Sequence, residues 1–126
     1  MSTKRILIVD DEPDIREVAQ MSLEVVSGWH VLTAESGDEG ITKAKEEKPD
    51  AILLDAMMPG MDGAATFDKL QADPSTKQIP VIMFTAKVQP ADRKRFSDLG
   101  VKDIIPKPFD PVKLGSQIAA ILGWSV

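Results

Sequence analysis

Short aliphatic runs and stretches with helical apolar spacing alternate five times along this 126-residue chain. The runs fall at 5–9, 30–34, 51–54, 80–85 and 101–105, and three of them (Ile6-Leu7-Ile8-Val9, Ile52-Leu53-Leu54, Val81-Ile82-Met83-Phe84) are apolar without alternation. Continuous apolar runs of this length suit strands covered on both faces, which is the situation in a parallel sheet. Right-handed crossovers then place helices on both sides of the sheet. The expected fold is therefore α/β: a doubly wound, five-stranded parallel sheet with strand order 2-1-3-4-5, in a single domain over 1–126.

Helix ends are legible between the runs. Pro13 suits a first helical turn, and Ile15, Val18, Ala19, Ser22 and Val26 are expected to share its buried face. Ser36 with Glu39 three residues on has capping-box spacing, and Pro49 bars that helix from continuing. Asp62 caps a third helix that buries Ala64, Phe67 and Leu70. Pro90 opens a fourth, with Phe96 and Leu99 inward and Gly100 as its stop, and Asp110-Pro111 opens a fifth with Leu114, Ile118, Ile121 and Leu122 inward.

Composition excludes several chemistries. The chain has no Cys and one His, so there is no disulfide framework, cysteine nucleophile or Cys/His zinc cluster, and any metal must sit on oxygen. A net charge of -5 argues against direct nucleic-acid binding. No apolar stretch approaches the length of a membrane span, and no secretory leader pattern precedes the first strand, so a cytoplasmic location is expected.

In the 2-1-3-4-5 order a crevice opens at the carboxyl ends of strands 1 and 3, where ligands bind in such sheets. Strand 1 ends in Asp10, Asp11 and Glu12, strand 3 in Asp55, strand 4 in Thr85, and strand 5 runs to Lys107. Carboxylates converging to about 4 Å repel by a few kcal/mol per pair at an effective dielectric of about 20. A hard divalent cation relieves that repulsion, and Mg²⁺ keeps places for water and phosphate oxygens. Aspartate attack on phosphorus is established chemistry, and Asp55, standing apart from the Asp10-Asp11 pair, is the natural nucleophile. Lys107 offers a mobile positive charge and Thr85 a hydroxyl donor.

The elements Val9-Asp10-Asp11-Glu12, Asp55-Ala56-Met57-Met58-Pro59-Gly60-Met61-Asp62-Gly63, Thr85-Ala86 and Lys107-Pro108-Phe109 together resemble the response-regulator receiver domains, of the CheY-like, stand-alone type. The resemblance covers essentially the whole chain. It implies a flavodoxin-like (βα)5 fold, Asp55 as the phosphorylation site, and Asp11 and Asp55 as direct ligands of Mg²⁺, with Mn²⁺ as a substitute. By the same resemblance Asp10 holds the metal mainly through water and Met57 adds its backbone carbonyl. Thr85, the Ala86 amide and Lys107 bind phosphoryl oxygens, and the Lys107-Pro108 bond is cis. The implied partners are a histidine kinase or histidine phosphotransfer protein as donor, and a downstream protein target reached through helix 4, strand 5 and helix 5. A monomer or weak dimer is expected, catalysing only its own phosphorylation and dephosphorylation.

Three departures from that family's pattern stand out. Ile104 occupies the usual Tyr or Phe position three residues before the lysine, and the chain has no Tyr, so Thr85 movement couples to a smaller side chain or output is read elsewhere. Pro106 removes a backbone donor at the end of strand 5. Met57 and Lys87 occupy positions that in this family tune access of the hydrolysing water. Among competing readings, a flavin module lacks the hydroxyl- and glycine-rich loop that would hold a phosphate after strand 1. An aspartate-dependent phosphatase, with Asp10 as nucleophile and Glu12 as acid, lacks a cap domain in so short a chain. A pseudo-receiver fits poorly with an intact acidic set.

Overall fold

The aliphatic runs become strands because their side chains have apolar cover on both sides, and the computed structural model, which describes residues 3–86 and 88–124, arranges them in one parallel sheet. The elements in chain order are β1 (Arg5–Val9), α1 (Pro13–Val25), β2 (His30–Ala34), α2 (Gly37–Glu47), β3 (Ala51–Asp55), α3 (Gly63–Ala72), β4 (Val81–Thr85), α4 (Pro90–Leu99), β5 (Asp103–Pro106) and α5 (Leu114–Leu122). The strand order is β2-β1-β3-β4-β5, as expected. No helix among the described residues is long and apolar enough to cross a membrane.

Alternate residues of each strand feed two cores. Leu7, Val9, Ile52, Leu54 and Met83 face Ala44, Phe67, Leu70 and Phe96 on one side. Ile6, Ile8, Leu53, Ile82 and Phe84 face Ala19, Leu23, Leu114 and Ile118 on the other. Gly40 lets α2 approach β1 closely, since a Cβ there would lie 2.8 Å from a Val9 methyl. At the amino-terminal edge of the sheet Trp29 meets Trp124 edge-on, with ring centroids 5.5 Å apart, and the Lys4 ammonium lies 4.6 Å over the Trp124 ring.

The helix caps follow the sequence. Ser36 Oγ accepts the Glu39 amide at 3.2 Å, Asp62 Oδ1 accepts the Ala65 amide at 2.9 Å, and Gly100 ends α4 with φ of 106°. Pro106 is accommodated because β5 is an edge strand, where a missing donor is tolerated. β5 begins at Asp103, two residues later than the apolar run suggests, because Val101 is a buried loop residue ahead of it.

Two expectations are corrected. α5 begins at Leu114, not at Pro111: Asp110 closes a separate turn by accepting the Val112 amide at 2.9 Å through its side chain and the Lys113 amide at 3.0 Å through its carbonyl. On α1 the buried residues are Ala19, Ser22 and Leu23, whereas Val18 and Val26 are exposed. The helix packs Ala19 and Leu23 into the second core, and Ser22 beside them donates to the Pro111 carbonyl in the turn before α5. This register predicts that Leu23→Ala costs about 2–4 kcal/mol in denaturant unfolding, while Val26→Ser changes stability by less than about 0.5 kcal/mol. The reverse ranking would refute the observed face.

Candidate acidic phosphoryl and metal site

β1 and β3 are neighbours with parallel register, Val9 opposite Leu54, so the residues that follow Val9 and end β3 arrive side by side. Asp10, Asp11 and Asp55 each place a carboxylate oxygen within 4.8 Å of the others. Asp10 is fully buried, Asp55 is 3% exposed and Asp11 is half-buried at the mouth. β3 extends one residue beyond its aliphatic run, and Asp55 itself stands opposite Phe84 of β4.

The loop after β3 is held by close backbone contact. A Cβ on Gly63 would lie 2.5 Å from the Asp55 carbonyl oxygen and 2.7 Å from the Ala56 Cα, so only glycine lets α3 start against the end of β3. The Gly63 amide donates to the Ala56 carbonyl at 3.1 Å, and the Met57 amide donates to Asp55 Oδ1 at 3.1 Å. The Met57 side chain is exposed beside the site.

Lys107 is already seated among the acids. Its Nζ lies 2.7 Å from Asp10 Oδ2, 3.5 Å from Glu12 Oε1 and 3.6 Å from Asp55 Oδ2, and 5.0 Å over the Phe84 ring. Burial disfavours the charged ammonium, but its hydrogen bond to Asp10 and the carboxylates of Asp10, Asp55 and Glu12 outweigh this and raise its pKa. Asp10 Oδ1 is taken by the Glu12 amide at 2.9 Å, so both oxygens of Asp10 are engaged within the chain. Thr85 is buried at the end of β4, Ala86 is exposed just beyond it, and the Lys107 amide donates to the Thr85 carbonyl at 3.0 Å. The Lys107-Pro108 bond is cis, as the resemblance implies. Ile104 is buried in the core facing Phe96 and Val101. Lys87 lies outside the described residues.

The donor set suits a divalent cation. With Asp55 ionised, the carboxylates of Asp10, Asp11, Glu12 and Asp55 outnumber the Lys107 ammonium among the described residues, and the surplus negative charge favours such an ion. Ligand oxygens on a cation bonded at about 2.1 Å stand at most about 4.2 Å apart, a spacing compatible with a trio whose oxygens all lie within 4.8 Å of one another. Without that ion the crowding has a measurable consequence: burial pushes the Asp55 carboxyl up to about 7, with Asp10 and Asp11 adding to the rise and the Met57 amide and Lys107 opposing it.

Sequence reasoning located all the acids but missed Arg16. Its Nη1 donates to the Asp10 carbonyl at 2.7 Å and its Nη2 meets Glu35 Oε1 at 3.2 Å. The available signal was spacing, because an arginine in the second turn of α1 can reach back over the turn that precedes the helix.

A family model described as the response regulator receiver domain matches residues 6–119. The chain is 40% identical over 119 residues to the alkaline phosphatase synthesis transcriptional regulatory protein PhoP of Bacillus subtilis, covering 94% of this chain and 48% of that protein. It is 40% identical over 122 residues to the phosphate regulon transcriptional regulatory protein PhoB of Pseudomonas aeruginosa, covering 97% of this chain and 53% of that one. It thus spans about half the length of both regulators. Among solved structures, chemotaxis protein CheY4 of Vibrio cholerae superposes with a TM-score of 0.89 at 28% identity, covering 95% of this chain and 99% of that chain. The receiver domain of sensor histidine kinase PA1611 from Pseudomonas aeruginosa, solved with a magnesium ion coordinated in its active site cleft, gives 0.85 at 27% identity, covering 97% and 99%.

Folding makes Asp55 bind its proton more tightly than the unfolded chain does. Its contribution to stability is full below about pH 3.8 and is lost as pH rises to about 7. In buffer free of divalent ions, wild-type stability measured relative to Asp55→Asn should therefore fall by a few kcal/mol across that window and flatten above it. A difference that stays level, or rises with pH, would contradict a crowded, buried Asp55.

Proposed function

Because the chain belongs to the family of response regulator receiver domains, we propose that it is the phospho-acceptor of a two-component relay, in which Asp55 takes a phosphoryl group from a phosphohistidine on a histidine kinase or phosphotransfer protein. The observation that carries this reading is the convergence of Asp10, Asp11 and Asp55 around the Lys107 ammonium. Asp11 and Asp55 would hold Mg²⁺ directly, Asp10 mainly through water, and Met57 through its carbonyl. When bound, the ion supplies charge neutralisation to the oxygens of the transferring group.

The chain's own residues then divide the work. An Asp55 carboxylate oxygen forms a bond to phosphorus as the phosphorus–nitrogen bond breaks, and the histidine nitrogen keeps the electron pair. The products are an acyl phosphate on Asp55 and a free imidazole on the donor. Lys107 is poised between Asp10 and Asp55, so a short swing of its flexible stem brings its charge onto the phosphoryl oxygens. The Thr85 hydroxyl and the Ala86 amide take oxygens from the β4 side. In this reading the chain turns over no external substrate, works in the cytoplasm as a monomer or weak dimer, and contacts a downstream protein through α4, β5 and α5, with no direct nucleic-acid contact. Coupling from Thr85 runs through Ile104, which packs against Phe96 of α4.

The corrected face of α1 suggests where the donor docks. Val18, Met21, Val25, Val26 and Val112 are exposed, Val25 to 77% and Val112 to 69%, and with Pro111 they line an apolar groove of about 220 Å³. Among the described residues Met57 is the only other exposed large hydrophobic side chain. The groove sits between α1, which follows the Asp10-Asp11 turn, and the 111–112 turn, which follows Lys107, so both of its walls continue from segments of the acidic site. Contiguous exposed apolar surface of this kind marks an interaction site.

Acetyl phosphate with Mg²⁺ should add the mass of one phosphoryl group to the wild type and none to Asp55→Asn in intact-mass measurement; an unlabelled wild type, or equal labelling of both, would sink the assignment. Val25→Ser with Val112→Ser should slow transfer from a phosphohistidine donor roughly tenfold while leaving acetyl phosphate labelling intact. Equal slowing of both reactions would show that the groove does not serve the donor.

A further inference from the structure

We infer that Arg16 is a positioning residue for the acidic cation site, acting on Asp11 through the backbone of Asp10; the inference rests on the metal-binding reading above. Asp10 is secured at every polar group. Its amide donates to the Ala34 carbonyl at 3.1 Å, its carboxylate accepts from the Glu12 amide and from Lys107, and its carbonyl accepts from Arg16 Nη1 at 2.7 Å. The last of these bonds fixes the plane of the peptide that joins Asp10 to Asp11. That plane sets the direction in which Asp11 leaves the strand end, and so whether its carboxylate meets that of Asp55.

The guanidinium is itself held from two sides. Arg16 stands in the second turn of α1, and its amide donates to the Glu12 carbonyl at 3.0 Å. Its Nη2 pairs with Glu35, whose backbone amide donates to Glu39 Oε1 at 2.6 Å at the start of α2. The Arg16–Glu35 pair is exposed on the Glu35 side and contributes little energy by itself. Its effect is geometric, because a planar fork with one nitrogen on each partner points the other nitrogen at the Asp10 carbonyl. Arg16 thus ties the acidic turn to α1 and to the β2–α2 loop at once.

Two effects of Arg16 on a bound cation oppose each other. Its charge repels an incoming ion, whereas its hydrogen bond orients the ligand turn. Groups that orient metal ligands change affinity by about 10–100-fold when removed. The guanidinium hydrogen-bonds a carbonyl and not a ligand carboxylate, so orientation is the larger effect and removal of Arg16 weakens binding.

The test is Mg²⁺ titration by calorimetry of the folded chain, at temperatures well below unfolding, with circular dichroism confirming native structure. Arg16→Gln should weaken Mg²⁺ binding about tenfold. Arg16→Lys, which keeps the charge but makes one bond in place of two, should fall between the two and serves as the test if Arg16→Gln does not fold. Arg5→Gln removes the bonds that Arg5 makes to Glu47 at the opposite edge of the sheet, and should leave affinity unchanged. Unchanged or tighter binding in Arg16→Gln or Arg16→Lys overturns the inference, as does equal weakening in Arg5→Gln, which would mark the effect as general destabilisation. A wild type that takes up no Mg²⁺ overturns the metal reading, and this inference with it.

Discussion

Negative charge is gathered at one edge of this sheet more densely than water-filled space would ever require. Asp10 is wholly buried and Asp55 nearly so, and among the described residues it is the Lys107 ammonium that pairs with both. Ion pairs in such surroundings are sensitive to loss of either member, because the survivor is left desolvated and alone. The site therefore carries its own internal counterion, at the end of a long and flexible type of side chain.

The fold exists to make that crowding sterically unavoidable. Parallel strands end together, so residues far apart in sequence, from Asp10 to Lys107, are delivered to one edge by geometry alone. Both faces of the sheet carry apolar cores, and the strand ends are consequently fixed in place by burial that does not involve the acids. Close backbone packing at Gly63 extends this rigidity into the loop after Asp55. The strain of like charges is thus borne by a frame stabilised elsewhere.

Most of this frame was legible in the residues. Continuous aliphatic runs marked the strands, and Ser36, Asp62 and Gly100 marked helix ends by chemistry that acts locally. The carboxylates could be assigned to one site because strand order follows from the β/α alternation. What remained illegible depended on rotation and reach. The face of α1 is not legible because Val18, Val25 and Val26 carry the same apolar signal as Leu23, and the choice between them depends on how Ala19 and Leu23 pack into the second core. The start of α5 was misplaced because Asp110-Pro111 has the chemistry of a helix start but serves a separate turn. Arg16 escaped notice because its acceptor is a backbone carbonyl, which no side-chain pattern announces.

Both indoles sit where the strands begin, Trp29 ahead of β2 and Trp124 beyond α5, while the carboxylates sit where the strands finish. A five-residue strand spans roughly 17 Å, beyond the range of contact quenching between an indole and a bound ion or acyl phosphate. Ultraviolet emission from this chain therefore registers whether the end of α5 stays clasped against its neighbour, and is optically deaf to events among the acids.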